Sequence, residues 1–269
     1  MAFSIYGNSS ATQAYNALLS TSNSTQKAQL KLASGKSINS AADNTSGFRV
    51  SSELQTKISL MNSASANVSN AQNLLSTSSS ALSSVNDLLT QISGKVAAAT
   101  DPTANLSSLA SDINSLGNEI SSIFTNTQFN ATALLSGSTV PSGQNFVFKT
   151  GTTENTTINF GNLSTLDLSS ISGSGATSAN IQSIDVTGLQ TAVQNALGTI
   201  GNYTQRLQVK ADYLTSAITN AQATVNSLTG ADMAKEQLAS TQGQIAQQIS
   251  TTMLSQLNQA PQSMLKLFQ

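Results

Sequence analysis

The chain has 269 residues, only 9% of them charged, a formal net charge of -1, and no histidine, cysteine or tryptophan. Disulfides, thiolate zinc sites and Ser-His or Cys-His nucleophiles are thereby excluded, and no basic excess exists to hold nucleic acid or an anionic membrane. Hydrophobic residues reach 38%, below the usual globular share, so segments with thin apolar stripes need partners to order them.

Residues 1–9 read as irregular. Residues 11–32 fit a helix with a sparse apolar stripe, Ala14, Leu18, Ala28 and Leu32, with Thr21 and Thr25 between. Alone in water such a stripe is marginal. Gly35, within Ser34–Ser37, is a C-terminal stop, and Asp43–Ser46 supplies N-caps for a second helix. Residues 1–30 show no basic start followed by an apolar run, so no cleaved secretory signal is expected. No stretch approaches the roughly 18 apolar residues of a membrane helix, so no membrane insertion is expected.

The second helix carries the strongest pattern. Val50, Leu54, Ile58, Met61, Val68, Ala71, Leu75, Leu82, Val85, Leu89, Ile92 and Val96 recur at intervals of three, four or seven, the seam of a coiled coil. From Ser46 to Thr100 it spans roughly 80 Å at about 1.5 Å per residue. Asp101-Pro102 breaks it. Leu106, Leu109, Ile113, Leu116, Ile120 and Ile123 then step three and four alternately, and the short connection implies an antiparallel helical hairpin.

From Gln128 to Leu189 the period changes. Phe146 and Phe148, then Ile158 and Phe160, alternate around a Gly151–Asn155 turn, which predicts a β-hairpin. The tract around Gly173 and Gly175 reads as a flexible connector. A third strong helix starts near Leu189, with Tyr203, Leu207, Ala211, Leu214, Ile218, Ala221, Val225 and Leu228 at helical spacing. Gly230 and Asp232 mark a hinge. A last helical run carries Leu238, Ile245, Ile249, Met253 and Leu257, followed by Pro261 and an apolar tail, Met264, Leu265, Leu267 and Phe268. Such a tail is costly to leave in water, which points to burial in an assembly.

The predicted fold is mainly α. It is a long helical-hairpin, coiled-coil bundle built by the N- and C-terminal segments, with a small β-hairpin region in the middle. A heptad seam at both ends buries itself only against other helices, the layout of an assembly subunit and not of a pocket enzyme. Ser24 and Lys27 form an S-x-x-K spacing, read as coincidence because its partner motifs are missing. Asp212, Asp232 and Glu236 read as solvated or paired with Lys210 and Lys235, not as metal ligands, which must converge. Asp43 and Arg49 are equally read as an ion pair or as a cap plus a surface charge. Thr152, Thr153, Thr156 and Thr157 are sugar acceptors or plain polar loop. No cofactor is implied.

Three segments carry a family resemblance. LASGKSINSAADNTSG (Leu32–Gly47) resembles the flagellin signature LSSGxRINSAxDDxAG, TQFNATALLSG (Thr127–Gly137) is similar to the flagellin TQFNGxxLL turn, and QLNQAPQSMLKLFQ (Gln256–Gln269) looks like the flagellin C-terminus QANQxPQxxLxLL. Their order along the chain makes the joint signal strong. The resemblance implies an extracellular subunit of the bacterial flagellar filament. It would be exported through a type III apparatus without a cleaved signal, with terminal arms that order on assembly.

Five segments follow from it: arm 1–45, shell hairpin 46–127, β-hairpin and loop region 128–188, shell helix 189–230 and arm 231–269. The implied core-assembly residues are Leu18, Leu32, Leu238, Ile245, Ile249, Leu254, Leu257, Leu265 and Phe268. The signature or hinge residues are Gly35, Asn39, Asp43, Gly47 and Arg49. The shell seam is Leu54, Ile58, Leu75, Leu89, Leu207, Leu214 and Val225. Expected partners are further copies of the chain, an export chaperone, and junction and cap proteins. A hook–filament junction protein and a secreted coiled-coil adhesin are the alternatives.

Two departures stand out. The usual acidic pair is Asp43-Asn44. Gln91 and Ser93 stand where many flagellins carry arginines read by the innate immune receptor for flagellin, so weak receptor activation is expected. With only about sixty residues between the helical regions, extra outer domains are not expected and the filament should be thin and smooth.

Overall fold

Helices occupy the segments whose apolar residues recur at the helical period. The computed structural model describes residues 9–135, 145–159 and 167–267, with 258 and 260–267 as backbone only. The described helices are α1 (Ser9–Ser34), α2 (Thr45–Ala98), α3 (Leu106–Asn126), α4 (Val186–Thr229) and α5 (Met233–Leu267). Between α3 and α4 lie two antiparallel hairpins, β1 (Gln128–Phe129) with β2 (Thr132–Ala133) and β3 (Asn145–Lys149) with β4 (Asn155–Asn159). The mainly α class with a small central β region therefore stands. Phe160 lies outside the described residues.

Contacts group the chain into two units, one of Lys57–Thr219 and one of the residues up to Thr56 with those from Asn220 onward. In the unit Lys57–Thr219 the core is made by three helical stripes. Leu75, Leu82, Val85, Leu89 and Ile92 of α2, Ile113 and Ile120 of α3, and Val193, Ile200, Leu207 and Leu214 of α4 are all buried. Each such side chain contributes about 1.5–3 kcal/mol by leaving water. Polar bridges fix the register at the rim: Lys95 Nζ to Asp112 Oδ2 at 2.6 Å, Gln190 to Thr90, and Gln72 to Gln208.

The turns explain themselves chemically. Asp101 accepts from Thr103 N and Oγ1, closing the α2–α3 turn beside Pro102. Asn105 caps α3 by accepting from Ser108 N. Asp185 caps α4 by accepting from Gly188 N, so that helix begins at Val186, three residues before the expected Leu189. Residues Asn130 and Ala131 both take positive φ, 50° and 61°, as a two-residue hairpin turn demands. In the second hairpin Phe146 pairs with Ile158. Ile158 is fully buried, while Val147 points outward.

The tract around Gly173 and Gly175 corrects the sequence reading. It is not a loose connector. Asn114 of α3 both donates to Ala176 O and accepts from Ala176 N, and Asn118 accepts from Gly173 N. Ile171 and Ala176 are buried. Gly117 makes this possible, because a Cβ there would overlap the Ile171 carbonyl oxygen. Glycine-rich composition signalled flexibility, whereas amide side chains on α3 supply the missing partners for its backbone.

In the other unit α1 packs on α5 through small residues. Thr25, Ala28 and Ser240 are buried, and a Cβ on Gly243 would overlap Thr25 Oγ1. Both chain breaks meet here. Gly35 ends α1 with φ +66°. Lys36 forms an antiparallel bridge with Gly230, Ser37 N donates to Thr229 O at 2.6 Å, and Ala231 N donates to Gly35 O at 3.0 Å. Lys31 reaches Glu236 at 3.8 Å.

Candidate assembly surface

Among the described residues, the α1–α5 pair leaves several large apolar side chains in water. On α5, Leu238, Ile245, Ile249 and Met253 are 59%, 52%, 56% and 57% exposed. Their spacing of seven, four and four places them on one helical face. At about 100° per residue, Ile245 lies roughly 140° around the helix from the buried Ser240. So the face turned to α1 is small and polar, and the bulky face points away. On α1 the exposed members are Tyr15, Leu19 and Leu30. A single large exposed hydrophobic is ordinary, but a continuous stripe marks an interaction surface.

Of the residues expected to assemble, Leu238, Ile245 and Ile249 lie on this exposed stripe. Leu18, Leu32, Leu254 and Leu257 are half-buried. The Leu265 side chain and Phe268 lie outside the described residues. Tyr15, Leu19 and Leu30 belong to the exposed set without having been singled out. Ser240 and Gly243 were missed because hydrophobic periodicity does not register small residues.

The signature segment is a polar joint. Asp43 Oδ2 accepts from Asn39 N, Ser40 N and Ser40 Oγ. The Asn39 and Ser40 amides hold this carboxyl below its ordinary range. Asn44 caps α2 by accepting from Gly47 N. A Cβ on Gly47 would sit 2.6 Å from Ile38 Cδ1, so a side chain there would require the buried Ile38 to turn aside. The Asp43–Arg49 ion pair is not formed. Arg49 instead pairs with Glu53 one helical turn on, at 2.6 Å, because Asp43 is already spent on turn amides.

The seam residues Leu75, Leu89, Leu207, Leu214 and Val225 are buried, and Leu54 and Ile58 are half-buried. Of the other charged side chains, Asp212 and Asp232 are exposed, in keeping with the solvated alternative, while the pairing with Lys210 or Lys235 is not formed among the described residues. Lys210 pairs with Glu154, Glu236 with Lys31, Asp212 accepts from Gln208, and Asp232 caps α5. Ser24 donates to Ser20 O within its own helix. Among the described residues no group of acidic side chains converges as a metal site.

Comparison with known proteins places these features in a family. Residues 5–139 match the bacterial flagellin N-terminal helical region, and residues 183–268 match the bacterial flagellin C-terminal helical region. A flagellin of Bacillus subtilis is 29% identical over 97% of this chain and 98% of its own length. A flagellin of Halalkalibacterium halodurans is 31% identical over 91% of this chain and 92% of its own. The flagellar filament 33 kDa core protein of Treponema phagedenis is 28% identical over 97% and 98%.

Proposed function

The chain belongs to the bacterial flagellin family, a family of structural proteins, and from that premise we propose that its copies join through the exposed faces of α1 and α5. The protein is a subunit that self-assembles into the extracellular flagellar filament used for swimming. Its relatives are flagellins and filament core proteins, which favours this role over a junction protein or an adhesin.

One observation carries the assembly reading: α5 buries small residues against α1 and exposes Leu238, Ile245, Ile249 and Met253. A subunit complete by itself would do the reverse. Contact between unlike faces of identical copies, repeated by a rotation that does not close, generates an open helical polymer. In this reading segments 1–45 and 231–269 are the filament-core arms, carrying the nine assembly residues named above. Segments 46–127, 128–188 and 189–230 form the shell, with the joint at Gly35, Asn39, Asp43, Gly47 and Arg49. A chaperone aids export, and junction and cap proteins bound the polymer.

Electron microscopy of the full chain on sheared filament seeds, beside a chain ending at Gly230, tests this. Long filaments from the full chain alone are expected. Equal growth of the truncated chain would remove α5 from the assembly contact. Gln91 is exposed on α2, and a reporter-cell assay is expected to show weak activation of the flagellin receptor.

A further inference from the structure

The unit Lys57–Thr219 carries opposite charges at its two ends. Around the β3–β4 hairpin, Lys57, Arg206, Lys210, Val209 and Tyr213 line one groove with the Gly151–Glu154 turn. Lys210 is matched by Glu154. Lys57 and Arg206 form no ion pair among the described residues, and both are exposed. Between them Val209 and Tyr213 are also exposed, at 69% and 63%.

The other end holds carboxylates. Asp101 sits in the α2–α3 turn, while Asp167 and Asp185 flank one depression at the start of α4. None of the three has an ion-pair partner among the described residues. Each is held by its own turn through Thr103, Ser169 and Gly188 amides, which keeps it fixed and solvent-facing.

These two ends cannot satisfy each other within one copy. Arg206 lies roughly 30 Å along α4 from Asp185, and Lys57 about 60 Å along α2 from its end, at 1.5 Å per residue. That is several Debye lengths at about 0.1 M salt.

We propose that the Lys57–Arg206 groove of one copy receives the Asp101, Asp167 and Asp185 edge of a second copy, with Val209 and Tyr213 providing the apolar centre of that contact. The inference rests on the filament reading and specifies one of its contacts. A charged groove meeting an acidic edge sets direction and rate more than raw affinity, because complementary potentials steer encounter and penalise the wrong orientation. An apolar centre flanked by charge is the arrangement of a directional interface.

The test is seeded elongation of the full chain, followed by light scattering at low and high salt. Lys57→Glu with Arg206→Glu reverses the groove. Asp101→Asn, Asp167→Asn and Asp185→Asn together neutralise the edge while keeping an acceptor for each turn amide. Circular dichroism and thermal unfolding of the monomers report folding separately. Wild-type elongation is expected to fall as salt rises, and the groove reversal to slow elongation by about tenfold or more.

The neutralised edge should fall between the two and lose most of the salt dependence. Asp101→Lys with Asp185→Lys, added to the groove reversal, should recover part of the rate. Folded groove-reversed copies that elongate like wild type, with unchanged salt dependence, would overturn this contact and leave the filament reading intact. Failure of wild type to elongate at all would instead sink the filament reading. If the reversal variant does not fold, the neutralised edge and the salt series decide alone, and a wild-type rate that ignores both overturns the contact.

Discussion

Two helical surfaces in this chain share a period and differ in what they bury. In the unit Lys57–Thr219, α2, α3 and α4 turn Leu, Ile and Val inward, and the stripe is spent within one copy. In the other unit, α1 and α5 meet through Thr25, Ala28, Ser240 and Gly243, and α5 leaves Leu238, Ile245, Ile249 and Met253 outside on one face. Periodicity therefore announces a helix, but the size of the residues at the contact decides whether the helix is complete in one copy. A close approach through small residues is a way to hold two helices together while reserving the bulky faces for others.

The comparison breaks most sharply with one truncation on each surface. Leu89→Ala removes a fully buried side chain and should destabilise the monomer by about 2–5 kcal/mol in denaturant unfolding. Ile245→Ala, at a half-exposed position on α5, should stay within about 0.5 kcal/mol of wild type in the same measurement, yet slow seeded elongation strongly. Equal monomer losses at the two positions would show that the α5 stripe is internal core.

Two glycines sharpen it further. Gly117→Ala forces a Cβ into the Ile171 carbonyl. Backbone held by the Asn114 and Asn118 bonds cannot yield easily, so a loss of about 1–3 kcal/mol is expected. At Gly243 the obstacle is the Thr25 hydroxyl, a side chain whose Oγ1 donates to Thr21 O. Gly243→Ala gains up to about 1 kcal/mol of helix propensity, which offsets part of the overlap. The expected net loss is under about 2 kcal/mol, visible as faster hydrogen exchange confined to α1 and α5.

The helices were legible because their stripes are regular over many turns, and the β3–β4 hairpin because Phe146, Phe148 and Ile158 alternate. The order of the Gly173–Gly175 tract was not legible. Its stability comes from Asn114 and Asn118, more than fifty residues away in sequence, and composition carries no signal for such partners. Pairing of charges was equally hidden. Lys210 and Lys235 have carboxylates nearby in sequence, yet Lys210 takes Glu154 from the hairpin. On the assembly face, Leu238, Ile245 and Ile249 could be named as apolar from the sequence, but their exposure follows from Gly243 drawing the opposite face against α1.

The smallest expected effect distinguishes the two units by acid. The carboxyl of Asp43 is held below its ordinary value first by the Asn39 amide and then by the Ser40 amide, in the unit that contains α1 and α5. Asp101 and Asp167, in the other unit, are lowered by the Thr103 and Ser169 groups. A carboxyl whose folded value lies below its unfolded one stabilises the fold above the unfolded value, about pH 4. That contribution disappears as pH falls through the folded value. Asp43→Asn keeps an acceptor for the turn but removes the titration. Amide exchange at Asn39 and Ser40 should then stop accelerating between neutral pH and about pH 3 beyond the intrinsic rate, while exchange at Thr103 and Ser169 keeps its acid dependence. Asp101→Asn should flatten the Thr103 response and leave Asn39 and Ser40 alone. Each substitution changing the acid response of the other turn would mean that the two units open together and that the contrast between them is one of packing alone.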